Sequence, residues 1–145
     1  MINKTFIYTS VFAALFTTLS LKFLHFFNFI KWSPIGWSKK WKIFTSEQIM
    51  HYIANWLLLI LALTVLFAII YIVASQLYKI PPSISALIIG IVFVFVVEWF
   101  ISKPDTFTEA IRTISLPLLA LMAIAFRFTV GTAVFMKEIS VENTK

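Results

Sequence analysis

Four long apolar runs set the pattern of the chain. The first lies between Lys4 and Lys31 and the second between Glu47 and Lys79. The third extends from about Ile84 to Ser102 and the fourth from about Ile111 to Met136. A helix needs roughly 20 apolar residues to cross a bilayer, and each run is long enough. None alternates with the period of two that barrel strands require. The pattern predicts an all-α polytopic membrane protein, a single domain of four transmembrane helices in an antiparallel bundle. Their expected bounds are about 5–30, 46–78, 83–102 and 107–136.

Polar punctuation supports those bounds. Thr45-Ser46-Glu47-Gln48 reads as a capping box opening the second span, and Thr106-Phe107-Thr108-Glu109 as one opening the fourth. Pro81-Pro82-Ser83 leaves almost no loop between the second and third, because proline ends one helix and starts the next. The second span would extend about 50 Å at 1.5 Å per residue, so it tilts or stands partly in the headgroups. The first run follows Lys4 as a signal peptide would, but it is too long and lacks small residues where cleavage would occur, so it is expected to stay.

Composition agrees with lipid as the solvent. The 145 residues are 61% hydrophobic and 12% charged, with a mean hydropathy of +0.96. A soluble domain carries about 25% charged residues. The absence of cysteine excludes disulfides, thiolate nucleophiles and zinc–cysteine sites. Three glycines leave no phosphate-cradling loop. The net charge of +6 is scattered, which points to anionic lipid headgroups rather than nucleic acid.

Segment 31–45, KWSPIGWSKKWKIFT, interleaves aromatic rings with lysines. Indoles favour the membrane interface and lysines favour headgroups, so Trp32, Trp37, Lys39, Lys40, Trp41 and Lys42 are expected to be interfacial anchors. A docking surface for a partner is the sharper reading of the same segment. Four spans put both termini on one side. The loop side carries Lys31, Lys39, Lys40, Lys42, Lys103 and Arg112, six cations against the four of the terminal side: Lys4, Lys79, Lys137 and Lys145. Cytoplasmic loops are therefore expected.

The candidate intramembrane polar residues are Lys22, His25, Glu98 and Arg127. Helical rise places Lys22 and Glu98 at nearly the same depth near the loop side, about 22–25 Å along their helices. A lone charge in hydrocarbon costs at least about 2.5 kcal/mol, so an ion pair joining the first and third spans is expected. His25 and Asn28 follow Lys22 toward the interface. Arg127 lies deeper, about 10–15 Å from Glu98, at the level of Tyr8, Thr9 and Tyr71. The alternative for these groups is a polar path for transport.

Small residues repeat every four positions: Thr9, Ala13 and Thr17 beside Ser10, Ala14 and Thr18; Ala86 and Gly90; Ala125, Thr129 and Ala133. Such stripes let helices approach closely in lipid. The second span has few small residues and is expected to face lipid more than the others. Pro117 is expected to kink the fourth span or mark its first turns.

His25 and His51 lie at the same end and could approach each other, but no carboxylate cluster or hydrolase motif accompanies them. The expectation is a non-enzymatic membrane protein without cofactor, acting through lipid, a membrane-protein partner or a homo-oligomer. HFFNF at 25–29, Pro34 with the Trp- and Lys-rich segment, a proline before ALIIG at 86–90 and a glycine-bearing fourth span together resemble the YqhR type of small four-helix membrane protein of spore-forming Gram-positive bacteria. That resemblance implies a bacterial cytoplasmic membrane and brings no chemistry with it.

Overall fold

A computed structural model describes residues 4–36 and 49–144. These form α1 (Lys4–Phe26), α2 (Ile49–Gln76), α3 (Pro82–Ser102), α4 (Phe107–Thr113) and α5 (Leu116–Glu142). Four of them, α1, α2, α3 and α5, are long and apolar enough to cross a membrane. They run alternately up and down, which leaves α4 beside the end at which α1 and α3 finish.

The α1 terminus shows how sequence sets a boundary. Asn28 adopts φ 59°, the left-handed conformation that asparagine tolerates better than most residues. Its N–H donates to the His25 carbonyl at 3.2 Å, and the Phe29 N–H to the Leu24 carbonyl at 2.9 Å. This is a Schellman closure, which satisfies carbonyls that the helix end would otherwise strand. The helix therefore stops at Phe26 rather than at 30, and Ile30 folds back to be buried. Lys103, at φ 43°, closes α3 in a related way, donating its N–H to the Trp99 carbonyl at 3.0 Å.

The expected fourth span is two helices. Thr106 Oγ1 does accept the Glu109 N–H at 3.4 Å, but the helix it caps has only seven residues. The chain then extends through Ile114 and Ser115, and Ser115 Oγ accepts the Leu118 N–H at 3.5 Å to open α5. Pro117 sits in the first turn of α5, where its missing N–H costs nothing. The capping box at 45–48 lies outside the described residues.

α5 is the hub of the bundle. It packs against α1, α2 and α3, and α1 also packs against α2. α3 makes little direct contact with α1 or α2. The small-residue stripes line these contacts: Thr9, Ala13 and Thr17 with Ser10, Ala14 and Thr18 in α1, and Ala125, Thr129 and Ala133 in α5, are all buried. Three hydroxyls of the stripes are satisfied within their own helices, Ser10 by donating to the Phe6 carbonyl at 2.9 Å. Thr18 donates to the Ala14 carbonyl at 2.8 Å and Thr129 to the Ala125 carbonyl at 3.0 Å, as a helix without water requires. The span most turned toward lipid is α3, with 22% of its most apolar window buried, rather than α2, with 33%. α3 needs only one buried edge because α5 is the one span that packs closely on it, with the short α4 touching its flank through Phe95 and Phe107.

That edge is a single i+4 row: Ala86, Gly90, Val94 and Glu98. At Gly90 a Cβ would stand 3.6 Å from Ala123 Cα, an ordinary contact distance. Gly90→Ala is expected to hold stability within about 1 kcal/mol, while Gly90→Leu costs about 1–3 kcal/mol by overpacking the crossing. Unfolding in mixed detergent and SDS measures both.

Candidate functional site: a chamber at the loop end

The α3 row that begins with alanine and glycine ends with a carboxylate. Glu98 is only 4% exposed. Ser102, one turn on, donates its hydroxyl to Glu98 Oε2 at 3.4 Å. The backbone N–H of Ser115, at the mouth of α5, also donates to this carboxylate. Glu98 thus lies at the positive end of a 27-residue helix, where a negative group is favoured. The Trp32 indole N–H lies against the same carboxylate but outside good hydrogen-bond geometry, so its buried nitrogen has no well-formed partner.

Three segments enclose the group. The hook after α1 contributes Phe29 to Trp32, the last turns of α3 contribute Glu98, Ile101 and Ser102, and the joint between α4 and α5 contributes Arg112, Thr113 and Ser115. Together they bound a half-open polar chamber of about 500 Å³. Ser115 Oγ donates to the Phe29 carbonyl at 3.1 Å and ties the hook to α5. Lys31 and Arg112 are exposed at the chamber's rim. Among the described residues no lysine or arginine forms an ion pair with Glu98.

A second cavity, of about 300 Å³, adjoins the chamber, and Trp32 and Ile101 line both. It fills the gap between α2 and α3, with Leu59 and Leu63 on one wall and Phe93, Val97 and Phe100 on the other. Its lining is wholly apolar at the surface. Thr17 lies in its floor, and the buried Thr17 hydroxyl has no hydrogen-bond partner.

The expected pair of Lys22 and Glu98 does not form. Both sit near the loop end, as rise along the helices predicted, but they belong to helices that barely touch. Lys22 is exposed, and its ammonium lies 5.8 Å from the centre of the Trp56 ring on α2, a cation–π contact. His25 shares this cleft with Lys22, Tyr52 and Trp56. The four candidate polar residues therefore do not build one path. Arg127 lies on the outer face of α5, exposed, with its guanidinium over Gly131. A Cβ at that glycine would come within 2.7 Å of Arg127 Nη1. The side chain thus runs one turn toward the C-terminal end of α5, toward the termini and away from Glu98. Lys22→Met and Glu98→Gln are expected to act additively, with a coupling under about 0.5 kcal/mol in a double-mutant cycle.

Trp32 is half-buried, packs on the core and walls both cavities. Trp37, Lys39, Lys40, Trp41 and Lys42 lie outside the described residues. Sequence reasoning passed over Ser115 and Asn55. Ser115 is signalled by the Ser-Leu-Pro sequence that starts α5. Asn55 is a lone amide in an apolar run, 4% exposed, with an Oδ1 that has no partner. Set against family models, curated proteins and solved structures, the chain matches none of them.

Proposed function

We propose that this chain is a non-enzymatic multi-pass membrane protein, an accessory or structural subunit that works by holding a lipid or a membrane-protein partner at its loop end. One observation carries the reading: a buried carboxylate, met only by neutral donors, faces a polar chamber that continues into an apolar gap between two helices. A charged side chain inside a membrane bundle marks function by default, because insertion penalises it. A catalytic constellation needs a nucleophile or acid–base pair in mutual reach, and among the described residues no histidine or second carboxylate lines the chamber with Glu98. The excess of lysine and arginine on the loop side supports cytoplasmic loops. The YqhR-type resemblance supports a bacterial cytoplasmic membrane as the site of action.

Purification in mild detergent tests the reading. The expected result is a stoichiometric lipid or second protein that stays with the wild-type chain and is lost on Glu98→Leu. The opposing result is a bare chain that conducts protons or ions in liposomes, with the flux abolished by Glu98→Gln or Arg127→Leu. That outcome would make the chain a small oligomeric transporter or channel.

A further inference from the structure

We propose that the chamber and the apolar gap form one site for a phospholipid with a primary-ammonium headgroup. The ammonium sits on the Glu98 carboxylate, the phosphate between Lys31 and Arg112, and one acyl chain in the gap between α2 and α3. This inference rests on the loop-end reading and names the ligand for it.

The charge pattern identifies the headgroup. A buried carboxylate is costly unless it is paired and hydrogen-bonded. Glu98 receives Ser102 Oγ–H and Ser115 N–H, and among the described residues no cation pairs with it. Its place is suited to a cation brought from outside. The two cations that line the same chamber, Lys31 and Arg112, stand at the rim, where phosphate oxygens need them. An acid inside and bases outside complement a headgroup whose ammonium is terminal and whose phosphate lies nearer the rim. A purely anionic headgroup satisfies the rim and opposes Glu98. A trimethylated headgroup carries the charge but has no N–H to donate, whereas a primary ammonium offers three donors.

The tail has a matching place. The gap is apolar throughout, adjoins the chamber at Trp32 and Ile101, and lies between helices that do not close on each other. Atoms lining an unfilled gap forfeit dispersion contacts, and in a bilayer the filler at hand is an acyl chain. Its volume of about 300 Å³ and the chamber's of about 500 Å³ each fall in the range of natural ligand sites.

The test offers the purified full-length chain an equimolar mixture of phosphatidylethanolamine, phosphatidylcholine and phosphatidylglycerol in detergent and reads retained lipid by native mass spectrometry. One phosphatidylethanolamine per chain is expected, favoured about tenfold over the other two, the discrimination that one charge-assisted hydrogen bond supplies. Glu98→Gln should bring the three toward parity, and Lys31→Gln with Arg112→Gln should lower all of them. Leu63→Trp, which fills the gap without touching Glu98, should lower all three and leave the preference intact. Equal retention by the wild type, preference for phosphatidylglycerol, or a preference that survives Glu98→Gln would each overturn the proposal. Retention of a stoichiometric protein with no lipid would overturn it too, while leaving the accessory-subunit reading in place.

Discussion

Phe126→Ala should cost about 3–5 kcal/mol, the range for truncating a fully buried phenylalanine. Phe126 has no exposed surface, and its ring meets Phe67 of α2 at 5.5 Å and Phe93 of α3 at 5.4 Å between centroids. It is the residue through which α5 holds two helices that barely touch each other. Removing the ring opens a cavity that no neighbouring helix is placed to close. The neighbouring Phe128, 44% exposed, is the control, and its alanine variant should lose far less. SDS titration in mixed detergent measures both. Equal losses would mean that α5 is not the hub.

Glu98→Ala should cost about 1–3 kcal/mol. The cost does not come from a lost ion pair. It comes from removing the acceptor that the Ser115 N–H and the Ser102 hydroxyl share at the base of the chamber. Glu98→Gln keeps an oxygen acceptor at the same position and should recover most of the loss. If Gln and Ala were equally damaging, the charge itself would be holding the junction, and a cation would have to stand beside it in the folded protein. Ser115→Ala should produce a smaller loss of the same kind, because it removes both the cap of α5 and the tie to Phe29.

The four spans were legible because length and apolarity alone decide whether a segment can cross a bilayer. The small-residue faces of α1 and α5 were legible because the period of four is written in Thr9-Ala13-Thr17 and Ala125-Thr129-Ala133. The surroundings of Glu98 are not legible from its depth, because angular register decides them. Glu98 continues the row Ala86-Gly90-Val94, and that row faces α5. Depth says how far along a helix a charge lies, but only register says which neighbour it meets. Register also explains Arg127. Two residues beyond Ala125, it is turned roughly 200° from the buried face at 3.6 residues per turn, and so it lies outside.

The break at Ile114 and Ser115 is masked by the capping box at Thr106–Glu109, which reads as the start of the whole span, although Ser-Leu-Pro marks a second helix start. Asn28 had a similar local meaning: as the left-handed residue of a helix terminator, it ends α1 and throws Trp32 inward. That inward turn was not legible. Tryptophan beside lysine carries the same composition at an interface and in a hook, and only the tie from Ser115 to Phe29 separates the two.

Because the native sequence has no cysteine, single thiols can be placed in it without background. Positions 98 and 94 lie one turn apart on the same buried face of α3, so Glu98→Cys and Val94→Cys form a matched pair of variants. In membranes opened to a water-soluble, charged maleimide, the Glu98→Cys variant should react through the chamber. The Val94→Cys variant, with its thiol packed against α5 below the chamber, should stay unlabelled. Silence of both variants, or equal labelling of both, would contradict a polar chamber at the loop end with Glu98 at its base.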